Sequence, residues 1–311
     1  MRTMRLGTTG LEVSALCLGA MYFGTRQDEA LSFALLDHYV DAGGMFIDTA
    51  NIYSHWVPGF KGGESELLLG RWLKARGHRD RLVIASKVGF EYSEQTRGLT
   101  ARQIETECEK SLRRMGIETI DLYYAHVDDP NTPLEETLEA FDRLVRAGKV
   151  RAIGASNYSA WRLEKARWTS RANGWAEFGC IQQRYTYVRA RRGQVFTPQL
   201  EANEDLLAYY QAEGVTLLAY SALLGGAYTR SDREFPPQVH GPDTDNRLVA
   251  LRGVAREQNA TRNQIVLAWM LAGGVLPLIA ASTHYQLQEN LGALNITLTD
   301  QQLARLNAAG W

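Results

Sequence analysis

Cysteine is scarce in this chain. Cys17, Cys108 and Cys180 are the only three in 311 residues, and no two form a CxxC pair. An odd, scattered set excludes a disulfide framework and points to a reducing compartment. Long hydrophobic runs are missing too. No stretch approaches the roughly 20 apolar residues that cross a bilayer, and the opening MRTMRLGTTG lacks the apolar core of a secretory signal. The expectation is a cytoplasmic protein with no membrane partner. Charge of one sign is not in excess, since the formal net charge is −1. The densest basic stretch, Arg189 to Arg192, is short and has no interleaved aromatics, which argues against nucleic acid as a partner. The six histidines show neither HxH nor HExxH spacing, so no metal is expected. No GxGxxG follows a strand and no GxxxxGK[ST] occurs, which removes the Rossmann site and the P-loop.

What is present is an alternation. Short, nearly continuous apolar runs lie at Val13–Leu18, Met45–Asp48, Leu82–Lys87, Ile120–His126, Ala152–Ala155, Cys180–Gln182, Val215–Ala219 and Val275–Ile279. Such runs suit strands buried on both faces of a parallel sheet. Helical patterns fill the gaps. Asp28–Ala42 and Glu64–Ala75 carry apolar residues near a 3.6 period. Thr100-Ala-Arg-Gln103 reads as a capping box, and Gly116 as the stop of the same helix. Further helices are expected at 133–148, 159–173, 198–212, 246–259 and 261–272. Eight strand-helix units in a chain of this length predict one α/β domain over residues 1–311, a closed (β/α)8 TIM barrel. Residues 53–63 and 223–244 are the long loops, and the second is expected to be mobile over the barrel mouth.

In such barrels chemistry sits where the strands end. The second run ends in Asp48, with Tyr53 just beyond; the third ends in Lys87 and the fourth in His126. Taken singly, each has a bland reading: a surface ion pair, a satisfied core histidine, a loop aromatic. Together they place a carboxylate, a phenol, an ammonium and an imidazole on one rim. A phenol titrates near 10, too high for acid-base work at neutral pH. A neighbouring ammonium is expected to lower that value, a carboxylate to hold the ammonium, and an imidazole to bind the substrate oxygen. This is equipment for giving a proton to a developing alkoxide. Two other barrel chemistries fit poorly. A glycoside hydrolase needs paired carboxylates, and no Glu ends a run. A metal hydrolase needs ligands that are not clustered here.

The same residues lie in GMFIDTANIY, VIASKVG and IDLYYAH. With RLGTTGLEVSALCLGAMYFG, GGESELLLGRWL, GKVRAIGASNYS, IQQRYTYV, LLAYSALLGG and STHYQLQEN they give the chain a specific resemblance, over nearly its whole length, to the aldo-keto reductases. The resemblance includes the branch of potassium-channel β subunits. It implies a barrel whose bottom is closed by an N-terminal β-hairpin. It implies a catalytic tetrad of Asp48, Tyr53, Lys87 and His126, and a nicotinamide dinucleotide. Ser156, Asn157 and Gln182 match the carboxamide partners and Tyr220 the stacking aromatic. Ser221, Leu223, Gly225 and Arg230 match the loop over the cofactor. Ser282, Thr283, Gln286, Glu289 and Asn290 match the adenosine end. The cofactor expected is NADP, with NAD or dual use open, because Ala280 and Gln286 stand where a cation often grips the 2′-phosphate; Arg230 is the replacement candidate. The implied reaction is reversible reduction of an aldehyde or ketone, sugar-like or bulky and hydroxylated among the options. Tyr22, Trp56, Phe90 and Asp128 are the candidates for holding that small-molecule substrate. The alternative is a cofactor-binding regulatory protein with slow turnover.

Overall fold

A computed structural model describes residues 1–93 and 95–310. Two short strands, β1 (Thr3–Arg5) and β2 (Glu12–Ser14), pair as an antiparallel hairpin. Eight parallel strands then close a barrel: β3 (Cys17–Gly19), β4 (Phe46–Asp48), β5 (Val83–Val88), β6 (Ile120–Ala125), β7 (Val150–Ser156), β8 (Phe178–Arg184), β9 (Thr216–Tyr220) and β10 (Leu276–Ile279). Neighbours in the ring follow chain order, and β10 closes on β3. The helices α1 (Glu29–Asp41), α2 (Glu64–Arg76), α3 (Ala101–Met115), α4 (Leu134–Arg146), α5 (Ala160–Asn173), α6 (Glu204–Glu213), α7 (Pro242–Glu257), α8 (Arg262–Ala272), α9 (His284–Gly292) and α10 (Asp300–Ala308) complete the chain. The capping box at Thr100 and the left-handed stop at Gly116 both form on α3.

Side chains alternate along a strand, so each strand sends one set out to the helices and one set into the barrel. Leu18, Ile47, Ile84, Tyr123, Ile153, Ile181 and Leu217 belong to the outer core. Cys17, Phe46, Val83, Ala85, Leu122, Tyr124, Cys180 and Leu218 fill the interior together with Leu6, Leu11 and Val13 of the hairpin. The hairpin turn sits at the strand beginnings: Gly7 N donates to Thr216 Oγ1 at 2.7 Å and Thr8 N to Gly179 O at 3.2 Å. It therefore plugs the bottom and leaves the other end for chemistry.

Four expectations shift. The run Val13–Leu18 is not one strand; its start belongs to the hairpin and its end to the barrel, with Ser14 Oγ bonding Leu16 O at 2.9 Å across the break. Pro198–Ala202 is not helical, because Ala202 N and Leu200 O pair with the backbone of Arg184 and extend the β8 edge. The helix starts only where the Asn203 side chain caps it. Conversely, α7 begins earlier than expected, at Pro242, since proline suits a first helical position. Finally, the 223–244 loop is tethered: Tyr228 is buried, its hydroxyl bonded to Thr186 Oγ1 at 2.7 Å and accepting from Val188 N at 3.1 Å.

Candidate active site

The inward alternation explains the site. Above the apolar interior the same faces continue as Asp48 after Phe46, Lys87 after Ala85, His126 after Tyr124, Ser156 after Gly154, Gln182 after Cys180 and Tyr220 after Leu218. Gly154 is required in that series: a Cβ there would stand 2.8 Å from both Cys180 Sγ and the Tyr124 ring.

Asp48 and Lys87 are fully buried and ion-paired through Oδ1. Lys87 Nζ also donates to Thr49 O and to Tyr53 Oη, each at 2.7 Å. All three ammonium protons are thus spent, and the side chain is held in one position. Tyr53 Oη donates to Asp48 Oδ1 at 3.0 Å, and Gln182 Nε2 donates to Oδ2 at 2.8 Å. The carboxylate is the hub: it touches lysine, phenol and amide at once.

This arrangement changes the expected electrostatics. Burial pushes the Tyr53 phenol well above its ordinary value, and the Asp48 charge beside it adds to the rise. The ammonium does not win, because burial disfavours the phenolate and the carboxylate that pairs with the ammonium also lies 3.0 Å from the phenol oxygen. Burial also draws Lys87 below its ordinary value, against the pull of Asp48. Burial, and then the Lys87 charge, hold the His126 imidazolium well below 6.5. At neutral pH the site therefore contains a protonated phenol and a neutral imidazole. The His126 ring stands 6.1 Å from the Tyr53 ring, and its Nδ1 has no partner among the described residues.

An aromatic wall surrounds these two groups. Trp56 meets the Tyr53 ring edge-on at 6.4 Å and the Tyr22 ring at 6.4 Å, while Phe90 packs on His126 at 4.8 Å. Trp56 is 42% exposed, so the wall faces the opening. Asp128 is engaged elsewhere: both its oxygens accept from Arg162 Nε at 3.1 Å.

Toward β7–β9 the polar groups knit together. Asn157, held at φ +57°, donates to His126 O at 2.9 Å and accepts from Tyr220 Oη at 2.7 Å and Leu200 N at 3.1 Å. Its amide orders the rim as well as facing it. Ser221, Leu223 and Gly225 follow Tyr220 in a tightly turned segment in which Ser221 and Gly225 have positive φ. At the far end, Thr283 caps α9, and Gln286 Oε1 accepts from Ser282 N at 2.7 Å and Oγ at 2.8 Å. Glu289 accepts from Asn263 at 3.2 Å, and Asn290 donates to Ala280 O at 3.1 Å. Arg230 is paired bidentately with Asp232, at 2.9 and 2.5 Å.

The sequence matches the Aldo/keto reductase family over residues 15–310. The chain belongs to that family. It is 33% identical to the uncharacterized oxidoreductase YrpG of Bacillus subtilis (strain 168), over 97% of this chain and 94% of that one. It is also 33% identical to the norsolorinic acid reductase stcV of Emericella nidulans, over 94% of this chain and 77% of that protein. Among solved structures, the thermostable aldo-keto reductase Tm1743, crystallised with the inhibitor epalrestat, superposes with a TM-score of 0.78 at 30% identity over 99% of both chains. The protein is therefore an oxidoreductase enzyme on an aldo-keto reductase barrel. Among the described residues no helix is long and apolar enough to cross a membrane, and no cluster of His, Cys, Asp and Glu could hold a metal ion.

Sequence reading missed two members of the rim. One is the Thr49 carbonyl that takes the third Lys87 proton, which no side-chain pattern reveals. The other is Arg184, the next inward position after Gln182, which the alternation along β8 could have flagged.

Proposed function

We propose that this aldo-keto reductase reduces an aldehyde or ketone to its alcohol with NADP(H) as cofactor and Tyr53 as the proton donor. The observation that carries the reading is the saturated Lys87, which bonds Asp48, Thr49 O and the Tyr53 hydroxyl at once, with the His126 ring 6.1 Å from that of Tyr53.

The rim suits a nicotinamide. Ser156 and Gln182 are buried polar groups at adjoining strand ends, able to meet a carboxamide, and Tyr220 offers a half-buried ring beside them. Ser221, Leu223 and Gly225 would border the cofactor, and Ser282, Thr283, Gln286, Glu289 and Asn290 its adenosine end. When bound, the dinucleotide supplies the hydride that the carbonyl carbon takes. Tyr53 gives its phenolic proton to the carbonyl oxygen as that oxygen gains charge. Lys87 already donates to the phenol oxygen and stabilises the phenolate left behind. Asp48 keeps Lys87 in place. Neutral His126 donates an N–H to the same substrate oxygen. Tyr22, Trp56 and Phe90 enclose the reacting carbonyl and exclude water.

A flat aromatic carbonyl suits this wall better than a sugar, because the two rim carboxylates that could bind hydroxyls are engaged, Asp128 by Arg162 and Asp129 by Leu99 N and Thr132 Oγ1. The preference for NADP is narrow, since no Lys or Arg occurs between Ala280 and Gly292 and Arg230 is neutralised by Asp232. A cofactor-coupled absorbance screen over aromatic aldehydes, aryl ketones and sugars, with NADPH and NADH in parallel, tests the reading. Turnover of an aromatic carbonyl is the expected result. Cofactor binding without turnover of any carbonyl would replace it by the slow regulatory protein.

A further inference from the structure

Arg184 ends β8 and has no part in the mechanism above. Every second residue of this strand turns into the barrel: Cys180 joins the apolar interior, Gln182 reaches Asp48, and Arg184 stands one layer higher. Two residues of strand rise roughly 7 Å, so this side chain starts at the level of the mouth. It is nevertheless only 8% exposed. Nη1 donates to Gln199 Oε1 at 3.1 Å and to Ser221 Oγ at 3.4 Å, and Cζ lies 3.8 Å from the centre of the Phe196 ring. Nε is enclosed and has no hydrogen-bond partner among the described residues.

Other arginines that are buried or half-buried have counter-charges. Arg114 bonds Glu66, Arg247 bonds Asp243, and Arg167 stands among Glu164, Glu177 and Glu213. Arg184 alone of these four forms no ion pair among the described residues. Burial holds its proton affinity below the ordinary guanidinium value, with Tyr220 and Glu201 opposing. A cation taken out of water without a partner is costly, and an anionic ligand removes that cost.

Position selects the anion. In the ring of strands, β8 lies opposite β4. The aromatic wall and Tyr53 follow β3, β4 and β5, across the mouth from Arg184. On its own side Arg184 pairs in register with Tyr220 and bonds Ser221. We propose that Arg184 is an anion-binding residue of the mouth that pairs with the diphosphate of the dinucleotide, an assignment that rests on the dinucleotide reading above. A guanidinium fork matches phosphate oxygens, and both NADPH and NADH carry the group.

The test is equilibrium titration of the full chain with NADPH, NADH and ADP-ribose, which keeps the diphosphate but lacks nicotinamide. Arg184→Gln is expected to weaken all three by at least about ten-fold, the scale of a lost charged hydrogen bond, with the NADPH-to-NADH ratio unchanged. Arg184→Lys, which keeps charge but loses the fork, should fall between. Phe196→Ala removes the guanidinium's packing partner and should stay within about two-fold of wild type. Equal binding by wild type and Arg184→Gln overturns the proposal. So does a loss confined to the KM of a carboxylated aldehyde, which would mark a substrate anion. A Phe196→Ala loss as large as that of Arg184→Gln would overturn it too, by showing a loop staple. If Arg184→Gln does not fold, Arg184→Lys decides: wild-type affinity for ADP-ribose in that variant counts against the diphosphate. Failure of wild type to bind either dinucleotide is distinguishable from all of these and sinks the cofactor reading itself.

Discussion

The two ends of the barrel are made by the same eight strands and are both buried, yet they are opposite materials. At the bottom, Phe46, Val83, Ala85, Leu122 and Tyr124 pack against Leu6, Leu11 and Val13 of the hairpin. At the top, the next inward positions are Asp48, Lys87, His126 and Gln182, equally withdrawn from water. Burial at the bottom stabilises the fold by removing apolar surface from water. Burial at the top works against stability, since each charge loses its hydration and recovers it only through a partner. The difference teaches where this chain spends its stability: the plugged end supports a rim whose charges are held where water would otherwise disperse them.

That contrast can be broken from either side. Phe46→Ala at the plugged end should cost about 3–5 kcal/mol, the range for a buried phenylalanine, measured as a shift of the denaturant midpoint. Its kcat per folded molecule should stay near wild type. A fall in kcat without loss of stability would show that the two ends are not separable. At the other end, Tyr53→Phe should raise the barrier by about 2.7–4 kcal/mol, or at least ~100-fold in kcat. Its unfolding midpoint should hardly move, because Lys87 keeps Asp48 and Thr49 O. Near-normal turnover in that variant would remove Tyr53 from the mechanism.

The same contrast explains what the sequence could tell. The run-ending residues Asp48, Lys87 and His126 were legible because strand alternation continues past the apolar layers, and the structure brings them together with Tyr53. The plugged bottom was legible only by resemblance. As a pattern, Val13–Leu18 reads as one strand, and the break depends on Ser14 meeting Leu16 and the backbone of Met45 and Phe46. Competing partners away from the tetrad were not legible. The occupation of Asp128 by Arg162, of Arg230 by Asp232, and the lack of an ion pair at Arg184 among the described residues follow from packing. The direction of the Tyr53 shift escaped as well. A nearby ammonium lowers a phenol in general, but here burial raises it and one carboxylate oxygen serves both groups.

Within the top end, a smaller contrast separates the side proposed for the nicotinamide from the side proposed for the adenosine. Tyr220 is half-buried and tied to Asn157 at 2.7 Å. Tyr220→Ala should weaken NADPH by about 0.5–1.5 kcal/mol, the worth of an aromatic contact. An unchanged dissociation constant by fluorescence titration would count against stacking.

The smallest effect is expected at the exposed adenosine side. Arg230 is the cation proposed for a 2′-phosphate, and Asp232 accepts from two of its nitrogens. A 2′-phosphate must compete with that carboxylate, whereas NADH makes no such demand. Asp232→Ala removes the competitor and leaves the arginine in place. The NADPH-to-NADH ratio of kcat/KM should then rise by roughly two- to five-fold, no more, because exposed ion pairs are weak and screened. The gain should shrink as salt is raised. If Arg230 does not reach the phosphate, the ratio stays where it was, and the preference between the two cofactors must then be set at Gln286 and the α9 N-terminus.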